Sequence, residues 1–85
     1  MQLLLSNTHK DFERVHEGRY ELQLTDDVKI LVIRYEAITM RSNLVHRWNA
    51  QVYHTAEGLI SDISGFTSKK EACWNAFDAA EGYVY

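Results

Sequence analysis

The sequence predicts an α+β domain, an antiparallel β-meander of three to five strands with one C-terminal helix packed on one face. Three observations carry this. Residues 19–24 and 44–53 alternate apolar and polar side chains with the period of a half-buried strand. Residues 68–80 change to helical period behind a capping signal. The 85 residues fit one domain, residues 1–85, and leave no room for a second.

Thr8 to Gly18 is the most polar stretch, with Phe12 and Val15 as its apolar residues. Their i, i+3 spacing permits a short helix or helical turn ending at Gly18, and residues 1–18 leave open an edge strand with a short helix or a mobile segment. Tyr20, Leu22 and Leu24 then face one way and Arg19, Glu21 and Gln23 the other. Thr25-Asp26-Asp27 has turn composition. In Val28 to Tyr35 the run Ile30-Leu31-Val32-Ile33 is unbroken, which predicts a strand covered on both faces. Ala37 to Arg41 reads as further strand, and Ser42-Asn43 as a reversal.

The clearest amphipathic strand follows. Leu44, Trp48, Ala50 and Val52 share one parity, and Arg47, Asn49, Gln51 and Tyr53 the other. Thr55-Ala56-Glu57-Gly58 reads as a hairpin loop with glycine where positive φ is required. Leu59 to Phe66 is a last, less regular strand. Ser68-Lys69-Lys70-Glu71 fits a capping box, Ala72, Cys73, Ala76, Phe77 and Ala80 form one stripe, and Gly82 is a stop signal.

Two families are similar to the second half of the chain. Trp48-Asn49-Ala50-Gln51-Val52, then Gly65 and Phe66, then Glu71-Ala72 and Ala79-Ala80, resembles the AP2-type DNA-binding domain and the arm-type domains of phage integrases. Ser68-Lys69-Lys70-Glu71-Ala72 resembles the start of the last helix of double-stranded-RNA-binding domains. Either resemblance implies a nucleic-acid partner, met by Arg47, Asn49, Gln51 and Tyr53 on the sheet and by Lys69 and Lys70 on phosphates. Against that stands the charge. Net charge is −3, and the exposed parity of the 44–53 strand offers one cation for reading bases.

The chemistry of catalysis is hard to assemble from these residues. His46 and His54 on one strand would stand about 26 Å apart, and His9 and His16 on a helix about 10 Å, so neither pair has ligand spacing. Cys73 lies in the apolar stripe, where cysteine behaves as a small hydrophobe rather than a nucleophile. No phosphate loop, nucleophile elbow or zinc motif is present. The expectation is therefore no enzyme, no metal and no cofactor. One cysteine also precludes an internal disulfide and suits a reducing cytoplasm. Met1 to Leu5 lacks the charge and length of a signal peptide, and no run reaches the ~18–20 apolar residues of a membrane span.

What remains is binding. Glu71, Trp74, Asp78 and Glu81 fall on the helix side away from its apolar stripe, an acidic face with tryptophan at its border. Tyr83 and Tyr85 add further aromatic surface. The leading expectation is a non-catalytic protein that engages a protein partner through this face, with half-burial of Trp74. In size, acidity and lack of a catalytic constellation the chain is similar in type to the small inhibitors that phages and mobile elements direct at host nuclease complexes, anti-CRISPR and anti-restriction proteins among them. An exposed sheet edge also leaves a homodimer open.

Overall fold

The computed structural model describes residues 11–83. Five strands form one antiparallel sheet in chain order: β1 Glu13–His16, β2 Arg19–Gln23, β3 Val28–Ile38, β4 Leu44–His54 and β5 Gly58–Phe66. Helix α1, Lys69–Ala80, follows and runs into a 3-10 turn, Glu81–Tyr83. The α+β meander with its C-terminal helix is thus as the alternation and the capping signal predict.

The register sorts the sheet into two faces. Val28, Ile30 and Val32 of β3 stand opposite His54, Val52 and Ala50 of β4, with Leu22 and Tyr20 of β2 beside Ile30 and Val32. This face carries α1. Ile30, Val32, Val52, Ala72, Cys73 and Ala80 are sealed, and Phe12, Leu24, Ala76 and Phe77 complete the core. Burying a side chain such as Ile30 or Val52 contributes roughly 1.5–3 kcal/mol. Phe12 packs 5.7 Å from the Phe77 ring and anchors the start of the described chain.

The segment before Gly18 corrects the helical expectation. Residues 13–16 form an exposed edge strand on β2, Phe12 is buried and Val15 is 51% exposed. The i, i+3 spacing of Phe12 and Val15 therefore does not mark a common face. Gly18, at φ 78°, turns β1 into β2, and its carbonyl accepts from the Arg34 N–H at 2.7 Å. Thr8 to Lys10 lie outside the described residues.

A second correction concerns β3. One helix covers one face only, so the strand is not sandwiched. Leu31 is nonetheless buried on the open face, where it lies between Glu21 and Gln51 in register. The apolar run thus reflects a helix on one side and long cross-strand side chains on the other.

At the turns, Thr25 Oγ1 accepts from the N–H groups of Asp27 and Val28, and Gly58 takes φ 79° as the hairpin loop requires. At the helix start Ser68 Oγ accepts from the Glu71 N–H at 3.2 Å. The reciprocal half of the capping box is not made, and Glu71 is exposed. Gly82 corrects the stop signal: it sits inside the 3-10 turn, and the C-cap residue Glu81 keeps right-handed helical backbone.

Candidate binding surfaces

The outer face of α1 follows directly from helical geometry. Positions 71, 74, 78 and 81 fall within one narrow arc opposite the stripe Ala72, Cys73, Ala76, Phe77 and Ala80. Glu71, Asp78 and Glu81 are exposed. Trp74 is 43% exposed and rests edge-on against Phe77 at 5.5 Å, so its indole is half-buried as expected. The three ion pairs among the described residues join Arg19 to Glu21, Lys29 to Glu21 and Arg34 to Glu17. All lie on β1–β3 and the β1–β2 turn, so none of them involves a carboxylate of α1.

The open face of the sheet does bring Arg47, Asn49, Gln51 and Tyr53 together, since they alternate along β4. Their polar atoms are largely engaged with the sheet itself. Asn49 Nδ2 donates to Asp62 Oδ1, the Ile63 carbonyl and Ser64 Oγ. Tyr53 Oη donates to Gln51 Oε1 at 3.0 Å, and Arg47 Nη1 donates to the His46 carbonyl. Glu21 brings negative charge to the same face. Lys29 at 2.8 Å holds its carboxyl below the ordinary value against the opposing cost of burial, with Arg19 adding a lesser effect. A shallow recess of about 280 Å³ opens where β2, β3 and β4 meet their loops, lined by Asp26, Asp27, Lys29, Tyr53 and His54 among others.

Lys69 and Lys70 do not join this surface. They start α1, on the opposite side of the sheet from Arg47 and Tyr53. The Lys69 ammonium stands 3.9 Å over the Tyr20 ring, a cation–π contact, while Lys70 is exposed. The Tyr20 contact explains a lysine that the helix dipole disfavours, which sequence reasoning left without a structural reason.

Cys73 is fully buried, and desolvation pushes its thiol up to about 12 despite the nearby Lys69 charge. A thiol held protonated and away from solvent has no nucleophile to offer. His46 is exposed at one end of β4. His54, at the other end, accepts through Nδ1 from the Ala56 and Glu57 N–H groups and lies against Tyr83. His16 lies on β1, and His9 and Tyr85 are outside the described residues. Among the described residues no group of three or more His, Cys, Asp or Glu is placed to hold a metal ion, and no helix is long and apolar enough to cross a membrane.

One surface has no counterpart in the sequence reading. Beyond Arg34 and Trp48 the β3–β4 pair leaves its neighbours behind and projects as a two-stranded arm. Among the described residues, Tyr35, Glu36, Ala37 and Ile38 pair only with Arg47, His46, Val45 and Leu44. The arm carries Ile38 at 73%, Leu44 at 64% and Met40 fully exposed. Leu44 shares the parity of Ala50 and Val52, which made it a core residue in sequence terms. α1 does not reach it. No family model, curated protein or solved structure matches the chain.

Proposed function

We propose that this chain is a non-catalytic binding protein that engages a protein partner through the outer face of α1. The observation that supports this best is Trp74, half-exposed among Glu71, Asp78 and Glu81, none of which forms an ion pair among the described residues. Tryptophan is the residue most enriched among binding anchors, and a carboxylate rim selects a basic surface. A basic protein groove that normally holds nucleic acid fits this chemistry, with Glu71, Asp78 and Glu81 standing in for phosphates. Inhibition of a host nuclease complex, such as a CRISPR effector, by a phage or mobile-element protein is the biological setting we infer, with action in the cytoplasm.

The same charge pattern disfavours the rival reading, a nucleic-acid-binding domain using Arg47, Asn49, Gln51, Tyr53, Lys69 and Lys70. Those residues divide between opposite sides of the sheet, and Glu21 and Asp62 share the face of the first four.

The test sets the two readings against each other. Labelled duplex DNA and duplex RNA are titrated at low and physiological salt, and a purified nuclease effector is titrated in parallel. We expect no duplex binding at either salt. We expect effector binding that weakens with salt and falls at least about tenfold in Trp74→Ala. Duplex binding that is lost in the Lys69→Glu, Lys70→Glu double variant and kept in Trp74→Ala would overturn the proposal.

A further inference from the structure

The sheet is longer than the helix that covers it. Strands β3 and β4 have 11 residues each and span roughly 36 Å at ~3.3 Å per residue. Helix α1 has 12 residues and spans roughly 18 Å at ~1.5 Å per residue. Lys69, the first residue of α1, stands over Tyr20, which lies 6.0 Å from Trp48. From that row outward no described element covers the helix-bearing face. It forms a ledge, recessed by the thickness of the helix and carrying Glu36, Ile38, Leu44 and His46.

The arm is nevertheless an ordered element. Thr39 closes its tip: its N–H donates to the Asn43 carbonyl, its carbonyl accepts from the Ser42 N–H, and its Oγ1 accepts from the N–H groups of Arg41 and Asn43. Ser42 takes φ 62° to complete the reversal. A two-stranded ribbon is at best marginally stable alone, and both edges of this one are unpaired among the described residues. Three large apolar side chains at its end are exposed together. Such a surface calls for a cover.

We infer that the cover is a second copy of this chain, lapped antiparallel on the ledge about a two-fold axis. Charge selects this occupant. A two-fold interface must complement itself. The outer face of α1, with three carboxylates, repels its own image, whereas the arm mixes signs, with Glu36 on the ledge and Arg41 at its tip. The lap sets Ile38 and Leu44 against their counterparts and carries each Arg41 towards the other copy's Glu36. Depth agrees as well. Packed layers stand ~10 Å apart, so a second arm occupies the level that α1 occupies further back. The ledge face of each arm with its tip offers roughly half a dozen residues, well below the ~20–30 a side in a stable interface, so the dimer is weak and dilution dissociates it.

Sedimentation velocity from micromolar to millimolar protein tests this. The expected result is a shift from monomer to dimer across that range. Leu44→Asp weakens association more than about tenfold, because a carboxylate then enters an apolar contact. Leu44 is exposed in the monomer, so circular dichroism and melting of the variant stay as in the wild type. Glu36→Arg and Arg41→Glu each weaken the dimer, and the double variant recovers it. A monomer at every concentration overturns the inference, as does a dimer indifferent to Leu44→Asp. Flotation of the monomer with anionic vesicles, lost in Leu44→Asp, would assign the ledge to lipid and overturn it equally.

Discussion

The two ends of the β3–β4 pair have the same backbone and the same alternation, yet they live in different surroundings. At the inner end Ile30 and Val52 face each other under α1 with no exposure. At the outer end Ile38 and Leu44 face each other with most of their surface in water. Strand pairing extends over both. Only the inner end has a second layer. The difference teaches that the ladder sets which way a side chain points, while the reach of the helix sets whether that direction is inside.

Truncating both ends alike separates the two environments. Ile30→Ala is expected to cost about 2–5 kcal/mol in chemical denaturation, a large share of the stability of so small a domain. Ile38→Ala in dilute protein is expected to stay within about 0.5 kcal/mol of wild type. Equal losses would mean that the outer end is covered in the monomer.

A smaller effect is expected where the inner region begins. Gly18→Ala forces a side chain into the left-handed region at φ 78° and sets its Cβ 3.4 Å from Arg34 Cβ. A loss of about 1–2 kcal/mol follows, measured by thermal melting. It sharpens the comparison, because the Gly18 carbonyl makes the last backbone bond that a neighbouring strand region gives to β3 before the arm.

The smallest effect concerns the open face. Glu21 has its folded-state pKa lowered, chiefly by Lys29, so it contributes stability above its unfolded value and loses it as pH falls through the folded one. Glu21→Gln is expected to be slightly less stable than wild type at neutral pH. The gap should close below the ordinary carboxylate range, followed by melting temperature against pH. A gap that persists there would indicate a packing role over Leu31 instead.

Much of this architecture is legible in the residues. The parity of 44–53 gives β4 both of its faces, and Ser68 with Glu71 three residues later marks the helix start. The edge strand β1 escapes because all four of its residues are exposed, so no burial pattern is written into them. Gly82 misleads because the chain tightens into a 3-10 turn without a left-handed residue. The outer face of α1 can be derived from spacing alone. The arm cannot, since Leu44 and Val52 carry the same signal and only the length of a distant helix separates their fates.

The strand order has one more consequence, for how the chain is made. Every pairing in the sheet joins strands adjacent in sequence, so each closes a short loop and none waits for a distant partner. The ribbon can therefore zip up locally and fast. Its apolar side is covered only when residues 69–80 arrive, because Ala72, Cys73, Ala76, Phe77 and Ala80 supply most of the second layer, with Phe12 beside Phe77. Residues 69–80 directly follow β5 in the chain, so the segment that covers the sheet is made as soon as the last strand is complete.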